Sequence, residues 1–276
     1  LIKKLKIPIV TGWNAHDLIS NDNEYYAGKP GTVGDRPGNF TVQNSDLLIV
    51  LGCRLNIRQI SYNWKAFAPK AFKIMIDIDQ AELDKPTLKI DYKIKADLKN
   101  FIPIFIQKIQ DVNYTCTKEH KKYLMWCKER VIEYPVVLQE YVNKKNKKIN
   151  PYAFTDELFN LLDKDDVVIT GNGSACVITF QAAKIKQGQR LYTNSGSASM
   201  GYDLPASIGA AIAKKGKRII CLAGDGSLMM NLQELQTMQG YNLPIKVFIL
   251  NNEGYVSIKQ TQEAYFSDNI SGVGPK

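Results

Sequence analysis

The sequence is poor in the residues that most often build metal centres and catalytic triads. Two histidines, His16 and His120, stand among 276 residues, too few for a histidine-based site, and each is expected in a loop or at the surface. The five cysteines, Cys53, Cys116, Cys127, Cys176 and Cys221, are odd in number and show no CxxC spacing. That argues against a disulfide framework and a zinc site alike, and fits a reducing cytoplasm. No apolar run approaches the roughly 20 residues of a membrane span. Leu1-Ile2-Lys3-Lys4 has neither an initiator Met nor a signal peptide and leads straight into IPIVT, so a truncated chain is expected.

Lysine is plentiful, and the net charge is +9. It is scattered among Asn and Ile rather than gathered in one patch. The densest run, Lys144-Lys145-Asn146-Lys147-Lys148, lies just before Pro151 and reads as a solvated linker rather than a phosphate-reading arm. No nucleic-acid motif accompanies it, so neither nucleic acid nor membrane is an expected partner.

Strand-like apolar runs alternate with helical stretches, the pattern of parallel α/β sheets. Ile7–Thr11, Asp46–Gly52 and Ala71–Ile78 are expected strands, followed by a helix over Leu98–Gln110. Residues 111–150 turn rich in Lys, Glu and Tyr and read as a helical connector, anchored by Trp126 and Leu138. Beyond Pro151 the spacing predicts helices over Ala153–Leu162, Gly201–Ala213 and Leu228–Gln239. Strands are expected at Val167–Thr170, Arg190–Thr193, Lys217–Ala223 and Ile245–Leu250. The fold class is α/β, with two consecutive doubly wound parallel-sheet domains at 1–110 and 151–276.

The most informative motif is Gly224-Asp225-Gly226, followed after 24 residues by Asn251-Asn252. Each half ends an expected strand, where ligands of open α/β sheets bind. Glycines around Asp225 permit a tight turn and a close backbone approach. Asp225 and Asn252 offer one charged and one neutral oxygen, a set that suits Mg²⁺ sharing its remaining positions with phosphate oxygens. A helix starting near Ser227 would add N–H donors for the anion.

In GDG followed by NN, the sequence resembles the thiamine diphosphate (ThDP) enzyme family. The resemblance implies that Asp225, Asn252 and the carbonyl of Gly254 hold Mg²⁺ on the cofactor diphosphate, with Gly224, Gly226, Ser227 and Tyr255 beside it. Thr170–Ala175 (TGNGSA) looks like the family's first diphosphate loop, which assigns Gly173 and Ser174 to the cofactor. Asn194–Ala211 is similar to the segment under the thiazolium: Met200 stands at the apolar wedge, and the Ala198 carbonyl would accept from the pyrimidine 4′-amino group.

Gly31–Gln59 and Lys73–Lys85 look like the central domain of the acetolactate-synthase group. Members bind FAD there near the positions of Gly52-Cys53-Arg54 and Asp77-Ile78, while many relatives keep the domain as a scaffold without flavin. Glu253–Gln260 departs from branched-chain acetolactate synthases and resembles acetolactate-synthase-like enzymes of sugar and surface-polysaccharide pathways.

The resemblance implies a carboligase or decarboxylase acting on pyruvate or a related 2-keto acid, homodimeric or homotetrameric at full length. Simple decarboxylation and transfer to a sugar ketone remain open alternatives, as does a nucleotide-binding scaffold that has lost activity. The glutamate that activates the cofactor through N1′ belongs in the family to a pyrimidine-binding domain not present in these residues. No catalytic residue can therefore be named. The diphosphate-binding domain is expected to be C-terminally incomplete, and the 276-residue chain alone inactive.

Overall fold

The long apolar runs become strands covered on both faces. In a computed structural model, residues 1–142, 148–266 and 269–274 are described. Most of the lysine run (144–147) lies outside them, as does Pro275-Lys276. The chain forms two compact units, Leu1–Val136 and Val137–Lys276.

In the first unit, β1 (Leu47–Leu51), β2 (Phe72–Asp77) and β3 (Tyr92–Lys95) form a parallel sheet in that order. Val50 pairs with Met75 and Ile76 with Ile94. Val50 and Met75 pack with Val42, Leu55, Ile60, Phe67 and Leu83 in one core. The helix Arg36–Gln43 begins with Pro37 in its first turn and is capped by Asp35, which accepts from Gly38 N at 2.7 Å.

Three expectations are corrected. Ile7–Thr11 is not a strand but a single parallel bridge, Ile9 to Tyr26. Pro8 lacks an N–H, and Gly28 at φ +114° turns the partner segment away. His16 is neither exposed nor peripheral: it is 2% exposed within the turn Trp13–Leu18. Burial, aided by the nearby Lys29 charge, pushes its pKa well below the ordinary histidine value. Leu138 is exposed, whereas Trp126 stacks on Tyr123 with ring centroids 5.8 Å apart.

The helix Lys118–Glu133, read above as part of a connector, packs on the first unit. Its Tyr123 hydroxyl donates to the Thr41 carbonyl at 2.5 Å, and the Lys128 ammonium to the Tyr26 carbonyl at 3.2 Å.

The second unit holds β4 (Val167–Thr170), β5 (Arg190–Thr193), β6 (Ile219–Gly224) and β7 (Ile245–Leu250), all parallel, in the order β5-β4-β6-β7. Side chains alternate across the sheet. Val168, Ile220 and Leu222 join Leu158, Phe159 and Leu191 on one face. Val167, Ile169, Ile219, Cys221 and Ala223 join Leu204, Ile208 and Ala211 on the other. With both faces covered, the central strands β4 and β6 read as near-continuous apolar sequence. Asn150 caps the helix Pro151–Leu161 through Tyr152 N at 2.9 Å. From β4 the chain moves outward to β5, then crosses back to β6 on the other side. That reversal opens a crevice at the carboxyl ends of β4 and β6.

Candidate cofactor and metal site

Loops after β4, β5, β6 and β7 meet the same end of the second sheet. β6 runs through Gly224, and a helical turn, Asp225–Leu228, starts on the aspartate itself. The helix expected over Leu228–Gln239 is tightened into a 3₁₀ turn, Met229–Asn231, before the helix Glu234–Gly240, with Leu232 and Gln233 between them still in right-handed helical backbone. Asn231 turns its side chain out of the helical path to donate to the Gly201 carbonyl at 2.7 Å. The helical turn begins at Asp225, two residues before the start expected near Ser227.

Asp225 and the loop after β7 close on one another. Asp225 Oδ2 accepts from Gly254 N at 2.8 Å. One terminal atom of the Asn252 carboxamide lies 3.2 Å from Asp225 Oδ1 and 2.8 Å from the Gly254 carbonyl oxygen. With nitrogen at that position the amide donates to both. With oxygen there, three oxygens face one point, an arrangement that a cation would stabilise. Octahedral Mg²⁺ with bonds of about 2.1 Å sets neighbouring ligand atoms about 3 Å apart, which matches these spacings. Among the described residues no group of three or more His, Cys, Asp or Glu could hold a metal. A mixed set of carboxylate, amide and backbone carbonyl is therefore the arrangement to consider.

Two glycines make this closure possible. Gly254 sits at φ +127° against the backbone of Val273 and Gly274, and Tyr255 N donates to the Val273 carbonyl at 2.9 Å. At Gly226 any Cβ would run into the Tyr255 ring.

The loop after β4 leads into the helix Gly173–Ala182, with Gly173 and Ser174 exposed and open space beside Gly173. Asn172 reaches from this loop to the one after β5, donating to the Ala198 carbonyl at 3.0 Å. Ala198 is held at φ +54°, and Met200 is 36% exposed, an apolar group presented to solvent beside polar loops. The helix expected from Gly201 begins instead at Asp203.

Asp203, Asn172 and Asn231 were missed from the sequence. Asp203 is fully buried and accepts from the Ser227 hydroxyl at 2.6 Å and from its neighbour Leu204 N at 3.0 Å. Burial raises its carboxyl pKa, opposed by the Ser227 hydrogen bond. Nothing in a polar residue at a helix start distinguishes it from an ordinary cap, so no local signal marks it.

In the first unit, several of the positions considered for flavin contact the chain itself. Arg54 Nε donates to Glu82 at 2.6 Å, and Asp77 Oδ1 accepts from Asp79 N at 2.9 Å. A Cβ on Gly52 would come 2.9 Å from Leu98 Cδ1. Arg58 lies over the Trp13 ring at 5.6 Å, and Gln59 donates to the Pro30 carbonyl at 2.6 Å.

Comparison with known proteins bears on both units. The family described as thiamine pyrophosphate enzyme, C-terminal TPP binding domain, matches residues 171–276, and the thiamine pyrophosphate enzyme central domain matches residues 1–104. The chain is 35% identical over 272 residues to an acetolactate synthase large subunit of Cyanidium caldarium, covering 97% of this chain and 44% of that protein. It is 31% identical to the large subunit of Porphyra purpurea, covering 98% and 45%. It is 29% identical to the isozyme 2 large subunit of Escherichia coli K12, covering 96% and 46%. The chain thus spans a little under half the length of these relatives. No helix among the described residues is long and apolar enough to cross a membrane.

Proposed function

The chain belongs to the thiamine pyrophosphate enzyme family, and on that premise we propose that it is part of a ThDP- and Mg²⁺-dependent, acetolactate synthase-like enzyme acting on pyruvate or a related 2-keto acid. The convergence of Asp225, the Asn252 carboxamide and the Gly254 carbonyl carries this reading. These three groups would hold Mg²⁺ on the cofactor diphosphate, with the backbone at Gly173, Ser174, Gly224, Gly226 and Ser227 and the neighbouring Tyr255 lining the anion. When bound, the cofactor supplies the electron sink that decarboxylation of a 2-keto acid requires. The Ala198 carbonyl would accept from an amino group of the pyrimidine, and Met200 would offer the cofactor an apolar surface. The proton transfer that activates the cofactor is assigned to no residue of this chain.

The test is Asp225→Ala in the full-length protein, with ThDP affinity measured by calorimetry in the presence of Mg²⁺. Losing a metal ligand should exceed the roughly 10–100-fold that outer-shell losses cost. Unchanged ThDP affinity would sink the ligand assignment.

In this reading the first unit is a scaffold without flavin. The support is that Arg54 is paired with Glu82, Asp77 with the backbone of Asp79, and Gly52 packed under Leu98. The full-length protein is a cytoplasmic homodimer or homotetramer, a reading supported by five free thiols and by acetolactate synthase relatives described as large subunits. Light scattering of the purified protein checks the assembly, and a monomer would overturn it.

A further inference from the structure

Burying a carboxylate away from water is costly unless its lone pairs are engaged. Asp203 is 0% exposed, so the use made of its oxygens is informative. The Gly201 N–H donates to Ser227 Oγ at 2.9 Å, and the Ser227 hydroxyl donates to Asp203 Oδ2 at 2.6 Å. A carboxylate only accepts, so it takes the one proton Ser227 has to give, and the serine oxygen is left to accept from Gly201. The direction of the chain is thereby fixed, and each bond polarises the next.

Gly201 stands at φ +79°, next to Met200 and three residues from Ala198. Its carbonyl is held from the other side by Asn231 at 2.7 Å. Asp203 Oδ2 also lies directly against Gly171, where any Cβ would collide with it. One buried carboxylate therefore touches the loop after β4 directly, the loop after β6 through Ser227, and the loop after β5 through Ser227 and Gly201. The Ser227 hydroxyl, in a residue 4% exposed, is engaged on both sides by protein.

We propose that Asp203 is a positioning residue of the cofactor site: acting through Ser227, it locks the 194–201 loop so that the Ala198 carbonyl and the Met200 side chain are in place before the cofactor binds. This inference rests on the ThDP reading of the site. Its energetic content is preorganisation, since a loop already ordered has less entropy to lose on binding.

The experiment uses the full-length protein with ThDP titrated at saturating Mg²⁺ by calorimetry, alongside thermal melts without cofactor. Asparagine offers one acceptor where aspartate offers two, both in use, so Asp203→Asn breaks either the Ser227 or the Leu204 bond. Ser227→Ala and Asp203→Asn should each weaken ThDP binding roughly 10-fold or more, in the range of supporting-shell losses. The double variant should be no worse than the weaker-binding single, because the groups act in series. Ser227→Thr keeps the hydroxyl and should restore affinity.

Additive losses would overturn the proposal, as would wild-type affinity in Ser227→Ala. So would a fall in cofactor-free melting temperature with no loss of affinity. Should Asp203→Asn fail to fold, the contrast between Ser227→Ala and Ser227→Thr decides alone. A wild-type protein that does not bind ThDP would overturn the family reading of the site and this inference together; wild-type binding with unaffected variants would overturn the inference only.

Discussion

Both units end parallel strands in polar loops, and they use those loops in opposite ways. In the first, strand-end groups satisfy one another: Arg54 with Glu82, Asp77 with Asp79 N, Gln59 with the Pro30 carbonyl. In the second, the side chains that join loops, Asn172, Ser227 and Asn231, bond backbone groups and leave Gly173, Ser174 and Met200 exposed. The Asn252 carboxamide lies 3.2 Å from Asp225 Oδ1 and 2.8 Å from the Gly254 carbonyl oxygen. The same strand-end geometry therefore carries groups paired within the chain in one unit and a candidate ligand site in the other. The sheet supplies a place for function, and side-chain commitment decides whether function is there.

The sharpest way to break this contrast is Gly226→Ala. The added methyl would displace the Tyr255 ring and, through it, the neighbouring Gly254 carbonyl. ThDP affinity should fall on the order of 10–100-fold while the first unit melts unchanged. Wild-type affinity would show that the close approach to Tyr255 does not set the metal loop.

A smaller effect is expected in the first unit, from pH. Lys29 is buried, and burial lowers its pKa to about 8, partly offset by the Asp35 carboxylate. In the unfolded chain it titrates near 10.4. Between these values the unfolded state binds more protons, so stability should rise as pH increases from about 8. Buried Tyr26, whose pKa is raised by burial, opposes this above pH 10, where an unfolded tyrosine ionises first. The gain should be confined to about pH 8–10 and amount to a few kcal/mol at most. Urea denaturation across that range checks it, and Lys29→Met should flatten the rise. A flat wild-type profile would mean that the ammonium is solvated.

The smallest expected effect is Arg54→Ala. Its pairing with Glu82 involves a side chain 71% exposed, so stability should change by less than about 1 kcal/mol. The purified full-length protein should show no flavin absorbance, with or without the substitution. A yellow protein that bleaches on Arg54→Ala would erase the contrast between the units.

Much of the second unit was legible, most clearly in β4 and β6, which are buried on both faces. Val167–Thr170, Arg190–Thr193 and Ile245–Leu250 have the bounds their apolar runs predict. β3 escaped notice because Tyr92, Lys93 and Lys95 are exposed and leave no apolar run to read. The tightening of the helix after Asp225 also escaped, because the Asn231 bond that accompanies it reaches a partner 30 residues away.

The sequence by itself determined the fold class, the strand-end position of GDG and NN, and the residue types of the candidate oxygen donors. These follow from local periodicity and from chemistry fixed by residue type. Only the tertiary structure decided that His16 is buried, that Arg54 and Asp77 are already engaged, and that Asp203 stands beneath three loops. Each of those depends on which distant group reaches a given atom. Asp203, Ser227 and Gly171 lie apart along the chain, and folding alone puts one carboxylate oxygen against the other two.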